Sequence, residues 1–232
     1  RCSLAESGYG MEGLVRVGNK IVQCEEELMG FKDELEGRFR NIWNAFSINH
    51  SYMYATTYGT YYSDGTLSTV LNYNTLTTTG GAIWGPSHEM GHNHQASINV
   101  VGATEVSNNL FSNVNTYLLG ITTTRGSAEH DTFNSFANKV GWLNMDIWQQ
   151  TRMYYQLYLY YHAQGHNPNF YPTLFKMLRQ DPIQKRSSDY DASLVDGEGN
   201  TVGGYKSYGK DDYLHMAKKM CDAAGEDLSE FF

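Results

Sequence analysis

The stretch that most constrains this chain is His88-Glu89-Met90-Gly91-His92, which matches the pattern H-E-x-x-H. On a helix, residues four apart lie on the same face one turn apart, so the two imidazoles can bind one zinc ion. The Glu between them can then polarise a zinc-bound water. Gly85 can cap this helix and Pro86 suits its first position, so the sequence predicts a helix that starts there.

A second acidic residue makes the pattern more specific. Zinc held for catalysis takes three protein ligands and keeps one position open for water. Glu105 lies 13 positions after His92, where Thr104 can cap a second helix and put Glu105 in its first turn. Asn109, one turn later, faces the same way and can accept a hydrogen bond from the outer nitrogen of His88 or His92. The sequence therefore predicts a helix, a loop and a helix that converge on one ion.

Two other interpretations of the motif need weighing. A chance H-E-x-x-H on an amphipathic helix would consist of two solvated His and a surface Glu. A purely structural zinc site is usually closed by four protein ligands, often Cys, and none of the three cysteines has C-x-x-C spacing. The positions of Glu105 and Asn109 favour a catalytic centre. His94, two residues after His92, lies on another face of the helix and is predicted to be a surface or packing residue.

Around these residues the chain resembles the enhancin-like and mucin-degrading zinc metallopeptidases, which are gluzincins with Glu as the third ligand. The family pattern H-E-x-G-H-N-x-Q with a downstream Glu matches residues 88–95 and Glu105, with Trp84 and Gly85 before it and Asn109 after it. The resemblance extends from about residue 52 to residue 232. It implies Zn²⁺ as the cofactor and a secreted or cell-surface protease that acts on glycoproteins such as mucins.

Composition limits the other classes of function. The net charge is −8, from 17 basic and 25 acidic residues without a Lys/Arg cluster, which disfavours nucleic-acid binding. No apolar run approaches the roughly 20 residues that span a bilayer, so we expect no membrane span. The 18 Tyr can serve packing or sugar contact. The chain opens at Arg1 without Met, so we expect it to be a piece excised from a longer protein. We also expect a monomer.

The pattern of apolar residues predicts both helices and strands. Residues 11–46 are predicted to be mainly helical. Residues 51–62 and 67–73 are predicted to be strands joined by a turn at 63–65. Residues 80–82 are either the edge strand that pairs with substrate or a flexible linker. Later helices are predicted at 105–119, 144–163, 172–178 and 211–221, and residues 194–202 form either a hairpin or, less readily, a calcium loop.

Together these features predict an α+β, zincin-like fold with a small mixed sheet beside the active-site helix. We expect one metallopeptidase catalytic domain over residues 1–232, with an N-terminal lobe over about 1–97 and a mostly helical lobe over about 98–232. The predicted reaction is zinc-assisted peptide hydrolysis with Glu89 as the general base. Candidate oxyanion donors are Tyr154, Tyr155, His162 and His166, and Trp84 is a candidate for the wall of the cleft.

Two alternatives to this function remain open. One is a gluzincin peptidase that has no glycan requirement. The other is a catalytically silent module that binds glycoproteins and has kept the motif. The intact set of His88, Glu89, His92 and Glu105 argues against the silent module.

Overall fold

The computed structural model describes residues 11–31, 45–48, 52–95, 98, 103–121, 134–135, 137–183, 190–193, 199–201, 204–205 and 210–232. In chain order, the first elements are α1 (Met11–Leu28), β1 (Ala45–Ile48), β2 (Met53–Thr56), β3 (Gly59–Ser63), α2 (Asp64–Val70) and α3 (Tyr73–Thr78). They are followed by α4 (Gly80–His94), α5 (Thr104–Leu118), α6 (Ile147–Tyr158), α7 (Phe170–Gln180), β4 (Tyr190–Asp191), β5 (Gly204–Tyr205) and α8 (Lys210–Ala224). The predicted α+β class is confirmed.

Beyond these elements, a short 3₁₀ helix spans Trp142–Asn144 and a π-helical turn, Leu159–Ala163, continues α6. No helix in the described part of the chain combines the length and apolar character needed to cross a bilayer.

A three-stranded sheet with the order β1-β3-β2 lies beside α4. β1 pairs with β3 in parallel, and β2 pairs with β3 in an antiparallel hairpin whose register matches Met53 to Tyr62 and Thr56 to Gly59. The buried side of β3 carries Thr60 and Tyr62, both fully inaccessible to solvent. β2 is thus an edge strand of the described sheet, and no strand among the described residues pairs with its other long edge.

Within the described residues, the core consists of three apolar clusters. The largest joins α5, α6, α7 and α8 through Leu110, Phe111, Tyr154, Phe175 and Met220. A second joins α1, α3 and α4, and the third joins the sheet to α1 and α2. Burial in these clusters accounts for the formation of short helices that would be marginal in isolation.

Several predicted elements near the sheet are wrong. The predicted turn and strand over residues 63–73 form α2 and the start of α3 instead. Ser63 caps α2 by accepting the amide N–H of Thr66 at 3.4 Å, and Asn72 caps α3 by accepting that of Thr75 at 3.1 Å. Leu67, Val70 and Leu71 follow the helical spacing that this pattern should have indicated.

The first predicted helix also differs from the observed one. α1 ends at Leu28, and Gly30 adopts a φ of 76°, which ends the helical path. Residues 45–48 are a strand because they pair with β3. Residues 32–44 of the predicted helix lie outside the described residues.

The helix that carries the motif starts earlier than predicted. α4 begins at Gly80, so Pro86 lies inside it and residues 80–82 are neither a strand nor a linker. The first turns of α4 bury Ile83 and Trp84, at 0% and 2% exposure, and this packing outweighs the low helix propensity of the two glycines. The later helices fall close to their predicted positions. Most of the predicted hairpin loop lies outside the described residues, and the strand pairing in this region is between β4 and β5.

The close contact of α4 and α5 at Gly91 predicts a clear effect of one methyl group. A Cβ added at Gly91 of α4 would lie 2.5 Å from Asn108 Oδ1 and 2.9 Å from the Phe111 ring on α5. We expect Gly91→Ala to lower the free energy of unfolding by ~1–3 kcal/mol because the two helices must move apart. Thermal or urea denaturation measures the change.

Gly81→Ala is the matched control because it lies on the same helix and a Cβ there meets nothing within 4 Å. We expect it to leave stability unchanged or raise it by up to ~1 kcal/mol. Equal stability of Gly91→Ala and the parent protein would contradict the close packing of α4 on α5.

Candidate metal centre and cleft

Two helices bring the three predicted ligands together. α4 presents His88 and His92 one turn apart, and the first turn of α5 presents Glu105. Glu105 Oε2 lies 2.8 Å from His88 Nε2 and 3.6 Å from His92 Nε2. The three ligand atoms lie within 4.8 Å of one another, and no other group of three or more such residues occurs in the described ranges.

The outer nitrogens of both imidazoles are held by amide side chains. His88 Nδ1 lies 2.9 Å from Asn109 Oδ1, and His92 Nδ1 lies 2.7 Å from Gln95 Oε1. An amide oxygen can only accept, so each Nδ1 carries the hydrogen in these pairs and each Nε2 of a neutral ring is left with its lone pair. Both lone pairs are thus available on the side where Glu105 lies.

Gln95 makes further contacts that the sequence did not predict. Its Nε2 donates to the backbone oxygen of Thr104 at 2.8 Å and to Ser107 Oγ at 3.0 Å, and the side chain is 2% exposed. These bonds join the end of α4 to the start of α5. Gln95 therefore fixes the ring of His92 and the position of the turn that carries Glu105.

Charge at the site follows from these contacts. Contact with the rings of His88 and His92, whose Nε2 atoms donate to the carboxylate when the rings are protonated, holds the pKa of Glu105 far below its usual range, so Glu105 is a carboxylate. Burial lowers the pKa of His92, but hydrogen bonds to Glu105 and Gln95 outweigh burial and raise it overall. The site is an electron-rich donor set, as a divalent cation requires.

Glu89 lies between the two imidazoles in sequence and faces the same cleft. It is 7% exposed, and burial raises the pKa of its carboxyl against the opposing effect of His88 and His92. Asn93 also lines the cleft and donates to the backbone oxygen of Glu89 at 3.4 Å. A carboxyl group that can take up a proton therefore stands beside the ligand set.

The cleft is an open depression of about 550 Å³ between α4 and the sheet. Its walls are residues 53–57 on one side and the metal-site residues of α4 and α5 on the other. The strand beside the site is therefore β2, whereas residues 80–82, considered for that role, belong to α4. Met53 packs against Gly85, which fixes β2 over this helix.

His94 is a packing residue, one of the two predicted possibilities. It is 4% exposed, and its Nδ1 lies 2.5 Å from Glu25 Oε2 on α1. Burial raises the pKa of Glu25, and the hydrogen bond and charge of His94 oppose that rise. Glu25 also accepts from Asn115 Nδ2 at 3.2 Å, so this buried group joins α1, α4 and α5 behind the metal site.

Three of the predicted cleft residues lie elsewhere. Trp84 is 2% exposed and packs edge-on against Trp148 with ring centroids 6.0 Å apart, so it belongs to the interior. Tyr154 is fully buried in the main core. His166 stacks on Tyr160 in the turn after α6. None of them lines the cleft, because tertiary packing rather than residue type decides which aromatic side chains face it.

Tyr155 and His162 are likewise missing from the lining of the cleft. Both rings stack on Tyr158, at 6.2 Å and 5.3 Å. Tyr158 in turn contacts Tyr117, which is about 18 Å along α5 from Glu105 at 1.5 Å per residue. None of the four predicted oxyanion donors is therefore among the residues that line the cleft.

A family profile and several solved structures match this chain. The profile described as peptidase M60, enhancin and enhancin-like, matches residues 5–232. A metallopeptidase solved in complex with Tn antigen is 31% identical, with a TM-score of 0.76 over 94% of this chain and 39% of that one. No curated protein sequence matches the chain.

Two further solved structures show the same likeness. A metallopeptidase from Bacteroides thetaiotaomicron is 29% identical, with a TM-score of 0.75 over 99% of this chain and 37% of its own. A functionally unknown conserved protein from Bacillus anthracis strain Ames is 26% identical, with a TM-score of 0.71 over 94% of this chain and 42% of its own. This chain thus spans about two-fifths of the length of the structures it matches.

The profile covers nearly the whole chain, and the solved metallopeptidases share its mixed fold. The resemblance read from the motif is thereby confirmed, and the chain belongs to the enhancin and enhancin-like peptidase M60 family of metallopeptidases.

Proposed function

We propose that this chain is the catalytic domain of a zinc peptidase that hydrolyses peptide bonds in O-glycosylated proteins such as mucins. The observation that carries the proposal is the convergence of His88, His92 and Glu105 within 4.8 Å, with Glu89 in the same cleft. Three protein ligands with one position left open are the arrangement of catalytic rather than structural zinc sites. Membership of a metallopeptidase family supports the same conclusion.

The donor set fits zinc on two counts. Zinc is commonly bound by imidazole nitrogens together with a carboxylate oxygen, as in this set. Calcium and magnesium instead take oxygen ligands. Zinc–ligand distances of about 2.0–2.2 Å place neighbouring tetrahedral ligands about 3.3 Å apart. The 2.8 Å and 3.6 Å separations of Glu105 Oε2 from the two imidazoles bracket that value.

Each residue of the site has a separate role in the proposed hydrolysis. Zinc, when bound, supplies the Lewis acidity that lowers the pKa of water and polarises a scissile carbonyl. Glu89 takes the proton from the attacking water and later delivers it to the leaving amine. Asn109 and Gln95 hold the two imidazoles in the tautomer that presents Nε2 to the metal.

The substrate peptide binds as an added strand in this proposal. β2 is the edge strand of the described sheet and lines the cleft through residues 53–57. An extended peptide can pair with the backbone of such an edge, which places one of its peptide bonds beside the ligand set. The open shape of the cleft suits an extended polymer better than an enclosed small molecule.

The glycoprotein substrate is supported by a relative rather than by a residue of this site. A metallopeptidase 31% identical to this chain is described in complex with the glycan Tn antigen. Because proteins carrying such glycans are exported, we place the enzyme outside the cytoplasm, secreted or at the cell surface. We also expect it to act as a monomer, since the proposed site is built from one chain.

The proposal predicts a large loss of activity on changing one atom of Glu89. Glu89→Gln keeps the size of the side chain but removes the general base, so we expect kcat to fall by about 10²- to 10⁴-fold on an O-glycosylated protein. Zinc content, measured by elemental analysis, should remain at the parent value. Glu230→Gln, an exposed position far along the chain, is the matched control and should cleave like the parent.

The same assay separates the glycan-dependent and glycan-independent proposals. One glycoprotein is digested before and after enzymatic removal of its O-glycans. We expect cleavage to depend on the glycans. Equal cleavage of both forms would retain the peptidase and remove the mucin class, whereas unchanged activity of Glu89→Gln would contradict the mechanism itself.

The amides behind the imidazoles predict a second effect, on metal affinity. Gln95→Ala and Asn109→Ala each remove the acceptor for one Nδ1–H, so we expect zinc affinity to fall by about 10- to 100-fold. Competition with a coloured chelator measures the affinity, and denaturation of the metal-free proteins reports any separate loss of stability. Gln23→Ala is the control, since Gln23 is exposed on α1 and bonds only to Glu27 among the contacts described. Parent-like affinity in both variants would show that the amides do not orient the ligands.

A further inference from the structure

Three aromatic rings stack across the sheet on the face away from the core. The ring of Tyr61 on β3 lies 4.7 Å from Phe46 on β1 and 4.6 Å from Tyr54 on β2, with interplanar angles of 20° and 7°. The strand register places both neighbours directly opposite Tyr61. The three rings therefore form one face-to-face column that runs from strand to strand, which we call the aromatic column.

The core does not account for this column. Side chains alternate along each strand, and Met53, Thr60 and Tyr62 face inward, where Thr60 and Tyr62 are fully buried. Phe46, by contrast, is 40% exposed, and Tyr54 and Tyr61 are only partly buried. The aromatic column thus presents large rings to solvent next to the cleft, where exposed aromatic surface commonly marks a binding site.

Tyr54 is the member of the aromatic column that lies at the free edge of the sheet. Tyr61 covers one face of its ring, and β2 is the edge strand, so the opposite face is turned toward the free edge that borders the cleft. Neighbouring strands lie about 4.8 Å apart, which matches the ring spacing of the column. A substrate strand added to β2 would therefore place one of its own substituents on Tyr54 as the next member of the stack.

The chemistry of this surface indicates a neutral, hydroxyl-bearing substituent. Residues 45–63 contain no Asp, Glu, Lys or Arg, although 18% of the chain is charged. The stretch is rich instead in Tyr, Thr and Ser, which offer hydroxyl groups beside apolar ring faces. A pyranose ring has the complementary character, with an apolar face of C–H groups and a rim of hydroxyls, whereas a sulfated or phosphorylated ligand would find no Lys or Arg within this stretch.

We propose that the free ring face of Tyr54 is a sugar subsite, which binds the first O-linked monosaccharide of a glycopeptide paired with β2. This inference rests on the proposed function, because it needs a glycosylated peptide in the cleft. Tyr54 contacts the sugar, while Tyr61 and Phe46 hold its ring upright through the stack. The subsite contributes to the recognition of the glycan, and Glu89 alone carries out the proton transfer.

Paired peptides and a catalytically impaired protein test the inference by binding alone. Zinc-loaded Glu89→Gln is titrated with a peptide that carries one O-linked monosaccharide on Thr, and with the same peptide without the sugar. We expect the glycopeptide to bind more tightly. Adding Tyr54→Ala should reduce this preference by about five- to tenfold, the usual value of one aromatic stacking contact.

Two further variants separate a sugar contact from a structural role. Tyr54→Phe keeps the ring and should retain most of the preference. Tyr160→Ala removes a tyrosine that is 47% exposed and stacks against His166 at 4.3 Å, and it should retain all of the preference. Thermal denaturation of each variant reports the stability that the aromatic column gives to the sheet.

Each other outcome contradicts the subsite in a distinguishable way. An unchanged preference in Tyr54→Ala overturns it while leaving the proposed function intact. Equal weakening of both peptides assigns Tyr54 to the peptide or to the fold, and also overturns it. Equal binding of both peptides by the Glu89→Gln protein removes the sugar from recognition altogether, and the cleavage assay on the parent protein then decides whether a glycan-independent peptidase remains.

Discussion

The packing of α4 on α5 is the constraint on which the site depends. Two imidazoles on one helix form a metal site only if a third ligand approaches at a fixed distance, and that ligand is on the other helix. Gly91 allows the close approach, and two side chains of α5 secure it. Asn108 donates to the backbone oxygen of His88 at 2.6 Å, and Ser112 donates to that of Trp84 at 3.0 Å.

The buried surface of α5 is rich in polar side chains. Six of the buried positions on α5 are Ser or Asn, in the run Ser107, Asn108, Asn109, Ser112, Asn113 and Asn115. Buried polar groups are costly unless they are paired, so these contacts admit few alternative registers of one helix against the other. Specific pairing of this kind, together with the buried Glu25 and His94 group on the far side of α4, holds the ligands in place before any metal binds.

How much of this the sequence could predict depends on the range of the interactions. The spacing of His88 and His92 is local, and the helical period alone puts both on one face. Glu105 followed from the number of ligands that catalysis requires, and Asn109 from the same period applied to the second helix. Gln95 belongs to the matching family pattern, but its bonds to Thr104 and Ser107 cross a loop whose path no local rule gives.

The wrong predictions about the cleft have one physical origin. Residues 80–82 looked like an edge strand because glycines permit close approach, but which strand forms an edge is decided by the order of the sheet. Tyr154, Tyr155 and His162 have suitable chemistry for an oxyanion donor, but the packing of α6 on α5 directs them into the core or along the far end of α5. Residue type indicates what a side chain can do, and only the tertiary fold determines what it faces.

Anomalous X-ray diffraction at the zinc edge, from crystals of the protein purified without chelator, tests the central claim most directly. The account predicts one strong anomalous peak per chain, about 2.0–2.2 Å from His88 Nε2, His92 Nε2 and a carboxylate oxygen of Glu105. A peak bound elsewhere, or a Glu105 side chain turned away from an ion held by the two imidazoles alone, would contradict it.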